Sequence, residues 1–463
     1  MTASDRMPRR PAAAGDPAPY SETLRKWVHI GFGAAALLLR YLTWHQAVIL
    51  AAAAVIVNIR LLRAITRHRL HRPKERDQAL PAGLVLYPTS ILLLLLMLPS
   101  RPDIVAAAWG ILAAGDGAAT LVGRRYGTTK WSWNQQKSIA GSAAFFVAGA
   151  AAGSSLAWWC RDVVIPPPFG WFSIAGPVLA ALVAAVVETS RIRLDDNLSV
   201  PLSAAAVLWA LSFVNEDLLI AAVVAAPPVL AVALPLNTLV AWAGYASRTV
   251  GASGAITGTI IGTIIFVCTG WSGWVMLIAA FLSAAVTSRV GLRRKTLLGI
   301  EEERGGRRSA GNAIANTGVA AIAAFLAVVS YAHIGALIAF TAALTAGASD
   351  TIASEIGKAW GRRTWSIVPP RPVQPGTPGA MSFEGTAAGL IGAAAMAALG
   401  LTLGLIPPYA LGPIVAGAMA GSLVESLLAA TFEGPGILDN DALNLINTAV
   451  AAFASVSLAG LLA

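Results

Sequence analysis

A succession of apolar runs, each long enough to cross a bilayer and separated by short polar breaks, constrains this 463-residue chain more than any other feature. In hydrocarbon every backbone N–H and C=O must be paired within the chain, so each run of about 20 residues is expected to be a helix. Seven spans are predicted near 27–44, 46–63, 82–98, 104–122, 139–159, 171–190 and 200–214. Eight more are predicted near 218–243, 253–268, 271–288, 312–330, 332–348, 384–406, 408–431 and 443–463. Charged residues make up 12% of the chain, against about 25% in soluble domains. The expected fold is therefore an all-α polytopic integral membrane protein with about 15 transmembrane helices.

The basic residues give an expected orientation, because Lys and Arg collect in cytoplasmic loops. Of the 33 Lys and Arg, all but Arg40, Arg101 and Arg161 fall before the first span or in alternate loops. That pattern predicts a cytoplasmic N-terminus, a plasma-membrane location and active sites facing the cytoplasm. Residues 1–20, rich in Pro, Ala and Arg, read as a disordered leader. The net charge of +10 reports orientation first, and nucleic acid is not implied. Cys160 and Cys268 match no metal-ligand spacing and read as small buried thiols.

The sequence also resembles itself. Gly115 to Trp131 (GDGAATLVGRRYGTTKW) aligns without a gap to Ser349 to Trp365 (SDTIASEIGKAWGRRTW), matching Asp116 with Asp350, Gly123 with Gly357, Gly127 with Gly361 and Trp131 with Trp365. After a loop ten residues longer in the second copy, Ser138 and Gly141 match Ser382 and Gly385. More loosely, Glu188 followed by Asp195, Asp196 and Asn197 resembles Glu425 followed by Asp439, Asn440 and Asp441. Two diverged copies of one membrane module are expected, divided as 21–215 and 216–463.

Carboxylates at the ends of apolar helices cost several kcal/mol each unless a cation or cavity compensates, so Asp116, Glu188, Asp350 and Glu425 are candidate functional residues. Asp116, Thr120, Gly123 and Gly127 share a helix face, as do Asp350, Ser354, Gly357 and Gly361. Cations follow closely: Arg124 and Lys137 in the first copy, Lys358 in the second. Carboxylates for a metal, cations for phosphates and glycine for close approach suit a Mg2+–nucleoside triphosphate. Asp195, Asp196 and Asn197 add hard oxygen ligands, while Ser138 and Gly141 open a helix whose N-terminus favours anions. Gly376 and Thr377 lie in a loop that reads either as a backbone phosphate cradle or as a plain turn. Asn312 and Asn316, preceded by Arg308, form a polar stripe entering a span. Lys26 and His29 flank the first span.

Arg25, Lys26, His29, Gly115, Asp116, Gly123, Arg124, Lys137, Ser138, Gly141, Glu188, Asp195, Asp196, Asn197 and Pro201 together resemble the phytol kinase and dolichol kinase family. That family uses CTP to phosphorylate long-chain isoprenoid alcohols in the membrane. From about 218 onward the chain resembles the membrane family containing phytyl-phosphate kinase, through the Ser288 to Thr296 segment, Gly311, Asn312, Asn316, Ser349 to Thr351, Ser354 to Gly357, Gly376, Thr377, Gly385, Thr386, Asn440, Asp441 and Asn444. Where that family often has Asp before Ser in the next-to-last span, this chain has Glu425 and Ser426.

The resemblances imply a fusion that converts an isoprenoid alcohol to its monophosphate and then to its diphosphate, with CTP as donor and Mg2+ as cofactor. The expected first site uses Asp116, Glu188, Asp195, Asp196 and Asn197 for metal and catalysis, and Lys26, His29, Arg124, Lys137, Ser138 and Gly141 for nucleotide and phosphate. The expected second site uses Asp350, Glu355, Glu425, Asn440 and Asp441 for metal and catalysis. Its phosphate contacts would be Lys295, Arg308, Asn312, Asn316, Lys358, Gly376 and Thr377. Two other readings stay open: a cytidylyltransferase of the CDP-diacylglycerol synthase type, and a secondary transporter built from duplicated bundles.

Overall fold

A computed structural model describes residues 22–60, 82–190, 194–297, 299, 307–434 and 437–463. The expected leader, the basic loop of 61–76, Arg191 with Arg193, and Glu301 to Glu303 lie outside the described residues. The chain divides into two compact units, Met1–Ser212 and Phe213–Ala463.

The named elements of the first unit's described residues are all helices, joined by short non-helical loops. Helix α1 (Glu22–Gly33) runs into a 3-10 segment (Ala34–Arg40). It is followed by α2 (Trp44–Arg60), α3 (Ala82–Met97), α4 (Pro102–Tyr126), α5 (Ile139–Cys160), α6 (Gly170–Thr189) and α7 (Asp196–Leu211). The second unit contains α8 (Glu216–Ala246), α9 (Ala252–Arg289), α10 (Leu292–Leu297), α11 (Ala310–Val329) and α12 (His333–Trp360). A small sheet of β1 (Thr364–Ser366), β2 (Arg371–Pro372) and β3 (Ala380–Ser382) precedes α13 (Phe383–Thr402), α14 (Leu411–Leu428) and α15 (Asn440–Gly460).

Among the described residues, ten helices have the length and composition to cross a membrane, and Trp44–Arg60, Leu84–Met97 and Asp196–Leu211 are shorter apolar helices. The protein is thus an all-α multi-pass membrane protein, with one small sheet among the described residues. The expected count of about fifteen is not reached on length alone. The spans expected at 253–268 and 271–288 form one helical element, α9, broken at Gly270, whose φ of 62° is open to a residue without Cβ.

In each unit one helix is the hub. The apolar window of α4 is 72% buried and that of α12 is 67% buried, against 6% for α8. Both hubs are rich in Ala and Gly, which lets neighbouring backbones approach closely and gain packing that lipid cannot replace. Ile104 to Ala108 and Ala342 to Ala346 are buried. These hubs carry Asp116 and Asp350. The sequence placed both acids at helix ends, but both helices continue for two turns or more beyond them. The hydropathy falls there while the packing against α5 or α13 persists.

Candidate active sites

The two units build the same framework around their hub helices. Ser138 caps α5, its Oγ accepting from Gly141 N at 3.1 Å, and Ser382 caps α13 in the same way from Gly385 N at 3.1 Å. Gly123 and Gly141 bring α4 against α5. A Cβ on Gly123 would lie 3.1 Å from Ser138 Oγ, and one on Gly357 would lie 3.1 Å from Ser382 Oγ. The backbone pairing that closes the loop is also common: Lys130 pairs with Ser138, and Thr364 with Ser382, positions that the sequence alignment makes equivalent. In the second unit the longer loop adds β2, giving the antiparallel order β2-β1-β3. Asp195 caps α7, accepting from Asn197 N at 2.9 Å, and Asp439 caps α15, accepting from Ala442 N at 2.9 Å.

In the first unit a charged network surrounds Asp116. A π-helical turn, Ile111–Asp116, interrupts α4 at the acid, a distortion that recurs at functional sites. Lys26 Nζ from α1 donates to Asp116 Oδ2 at 2.5 Å, and His29 Nε2 lies 3.5 Å from the same oxygen. Both Lys26 and Asp116 are buried. Lys26, expected at phosphate, is therefore the counter-ion of Asp116. Lys137, in the loop before α5, donates to Glu188 and, at 2.8 Å, to Asp196. Burial opposes its charge, but Asp196 and Glu188 outweigh it and hold the ammonium above the usual lysine range. Asn197 Nδ2 donates to Asp195 Oδ1 at 2.7 Å. Arg124 is exposed at the end of α4.

In the second unit a polar cavity of about 240 Å³ opens beside Asp350. Its lining brings together Asp350, Lys358, Gly376, Thr377, Glu425 and Asn440 from the expected set, with Ser354, Ser422 and Glu433. Ser422 Oγ donates to Asp350 Oδ1 at 3.3 Å, and Glu425 lies alongside. Ser422 was not singled out from sequence, although it stands three residues before Glu425 and so shares its helix face.

The other expected residues lie elsewhere. Lys295 and Glu355 form a buried pair at 2.5 Å, each side chain 2% exposed, and neither lines the polar cavity. Lys295 also donates to Ser288 O at 2.7 Å, and Lys358 donates to the other oxygen of Glu355 at 2.9 Å. This arrangement ties α10 to α12 and holds Lys358 at the cavity. Arg308, Asn312 and Asn316 line a different, mainly apolar cavity. The Asp441 carboxylate packs against Gly311, where a Cβ would collide with Oδ2.

Two buried carboxylate oxygens, Glu188 Oε2 and Glu425 Oε2, have no hydrogen-bond partner among the described residues. Among the described residues no three His, Cys, Asp or Glu converge closely enough to hold a metal unaided. One or two carboxylates are what Mg2+ takes when it arrives on phosphates, so the orphaned oxygens fit a nucleotide-borne cation better than a resident one.

These features define an integral membrane protein with two polar sites built on a repeated helical framework. A profile of the integral membrane protein DUF92 family matches residues 235–452. "Uncharacterized membrane protein MJ0933" of Methanocaldococcus jannaschii is 35% identical over 44% of this chain and 83% of its own length, and the chain belongs to this family. It is also similar to "Protein VTE6, chloroplastic" of Arabidopsis thaliana, 32% identical over 44% of this chain and 64% of that protein. "Phytol kinase 1, chloroplastic" of Arabidopsis thaliana is 28% identical over 32% of this chain and 47% of that protein. The chain thus spans under two thirds of VTE6 and about half of that phytol kinase. No solved structure matches.

Proposed function

We propose that this protein is a bifunctional membrane kinase that phosphorylates an isoprenoid alcohol to its monophosphate in the first unit and to its diphosphate in the second, with CTP as donor and Mg2+ as cofactor. The observation that carries the reading is the doubled framework, in which a capped helix N-terminus, a glycine contact and a buried Asp recur around two separate polar sites. The similarity to proteins named phytol kinases supports the substrate class. Both sites are proposed to face the cytoplasm.

In the first step the alcohol oxygen attacks the γ-phosphorus in line, the bond to the β-phosphate oxygen breaks, and CDP leaves as the hydroxyl proton is taken up by the protein. Catalysis of this kind is mostly positioning and charge neutralisation. Lys137 and Arg124 hold phosphates. Asp116, Glu188 and Asp196 would offer carboxylate oxygens to a Mg2+ that arrives on the nucleotide, and the ion would supply charge neutralisation. His29 Nε2, buried without a hydrogen-bond partner among the described residues and 3.5 Å from Asp116, is the proton acceptor.

In the second step the acceptor is already a phosphate anion and needs no base. The second unit accordingly contains one histidine, His333, which begins α12 about 25 Å along the helix from Asp350 at 1.5 Å per residue. Lys358, Gly376 and Thr377 hold the donor phosphates, and Asp350, Glu425 and Asn440 take the metal and polar roles.

Purified protein incubated with CTP, Mg2+ and a panel of prenols tests the reading. Prenyl mono- and diphosphates with release of CDP are expected by mass spectrometry. Release of pyrophosphate with a cytidylylated lipid would replace this reading with cytidylyl transfer. Absence of any phosphorylated lipid in detergent would reject both.

A further inference from the structure

The mainly apolar cavity of the second unit is used by none of the roles above. It measures about 160 Å³ and lies among α8, α9, α11 and α12. Val240, Ile261, Leu277 and Phe281 contribute to its apolar wall, and Arg308, Asn312 and Asn316 form a polar strip along one side. Arg308 Nη1 donates to Asn312 Oδ1 at 3.2 Å, and Nη2 to Ser288 Oγ at 3.3 Å. Asn316 Oδ1 is buried with no hydrogen-bond partner among the described residues. Among the described residues of the lining, Arg308 is the charged one.

The cavity sits next to the polar one. Thr351 lines it while the adjacent Asp350 lines the polar cavity, so α12 presents neighbouring faces to both. Asn440 likewise lines the polar cavity, and the adjacent Asp441 packs against Gly311, beside Asn312. The first unit offers a contrast. Its apolar pocket of about 250 Å³, bordered by Phe32, Tyr87 and Trp109, has no charged residue among the described residues of its lining. Tyr87 packs against His29 with ring centroids 4.4 Å apart and the planes tilted by 38°. A neutral alcohol suits that pocket, and an anionic amphiphile suits the one containing Arg308.

We infer that the cavity beside Arg308 is the acceptor site of the second unit, binding the phosphate of a prenyl monophosphate near Arg308 and Asn312 and its first isoprene unit against Ile261, Leu277 and Phe281. This rests on the kinase reading. An apolar cavity of about 150 Å³ encloses one benzene-sized group, so about one five-carbon unit fits and the rest of the tail leaves the cavity. The outer wall is α8, the least buried of the long apolar helices, which sets the exit beside lipid. The site therefore recognises the head and first unit and ignores tail length beyond them.

The test uses geranyl monophosphate carrying a diazirine on its first isoprene unit, with peptide mapping of the labelled full-length protein. Label is expected on α8, α9 and α11. A Cβ at Gly258, which lines the cavity, would meet nothing within 4 Å, so Gly258→Phe fills the space without a backbone clash. It should reduce labelling at least tenfold while CTP binding and thermal unfolding match the parent. Farnesyl and geranylgeranyl monophosphates at equal mole fraction in the micelle should compete within about threefold of each other. Label on other helices, full labelling of a folded Gly258→Phe protein, or a steep dependence on tail length would each overturn the inference. Labelling as expected without phosphoryl transfer would leave the cavity assignment standing and remove the kinase reading, whereas transfer with label elsewhere would do the opposite.

Discussion

Glu355 separates a structural role from a metal-binding one. The pair with Lys295 is 2.5 Å long and 2% exposed on each side, and Lys358, 27% exposed, contacts the second oxygen. Removing one member of a buried pair strands the other and costs about 3–5 kcal/mol, whereas replacing both with apolar groups of similar volume is near neutral. Glu355→Leu should reach that range, because it strands the Lys295 ammonium and frees Lys358. Lys295→Met should cost less, because Glu355 keeps Lys358. The double variant should recover most of the loss, giving a favourable coupling of about 2 kcal/mol or more in a double-mutant cycle. The assay is unfolding in a mixed-micelle denaturant series, read by tryptophan fluorescence. A Glu355→Leu protein as stable as its parent but with no monophosphate phosphorylation would refute the structural assignment and restore Glu355 as a metal ligand.

Three further outcomes follow from the geometry. His29→Ala should lower prenol phosphorylation by about a hundredfold or more and leave prenyl-monophosphate phosphorylation at the parental rate, measured with each acceptor supplied separately. Ser138→Ala removes the cap on α5 and should cost about 1 kcal/mol in the same unfolding assay, with Ser382→Ala matching it in the second unit. Because Lys137 is held above the usual lysine range, its contribution to stability is complete below the unfolded value of about 10.4 and is lost only as pH rises through the higher folded value. Raising the pH from 7 to 9.5 should therefore leave the difference in unfolding free energy between the parent and Lys137→Met unchanged.

Much of the architecture was legible because it depends on local patterns. Hydropathy marked the helices, and the repeated Asp, Gly and Ser marked the framework, since each of those residues does a local job at a cap or a close contact. The placement of Glu355 was legible too: five residues at 100° each turn it about 140° away from Asp350, so the two cannot share one cavity face. What the pattern could not reveal depends on packing between distant segments. The pairing of Lys26 with Asp116 spans 90 residues, and the cavity beside Arg308 needs four helices to enclose it. The break at Gly270 was legible as well, because a glycine between two apolar runs marks a point where the backbone leaves the helical region.

The most direct test of two separate sites is the activity of the two single-site variants on both acceptors. Asp116→Asn should abolish transfer from CTP to a prenol while sparing transfer to a prenyl monophosphate, and Asp350→Asn should do the reverse. Loss of both activities from either substitution, in a protein that remains folded, would contradict the account.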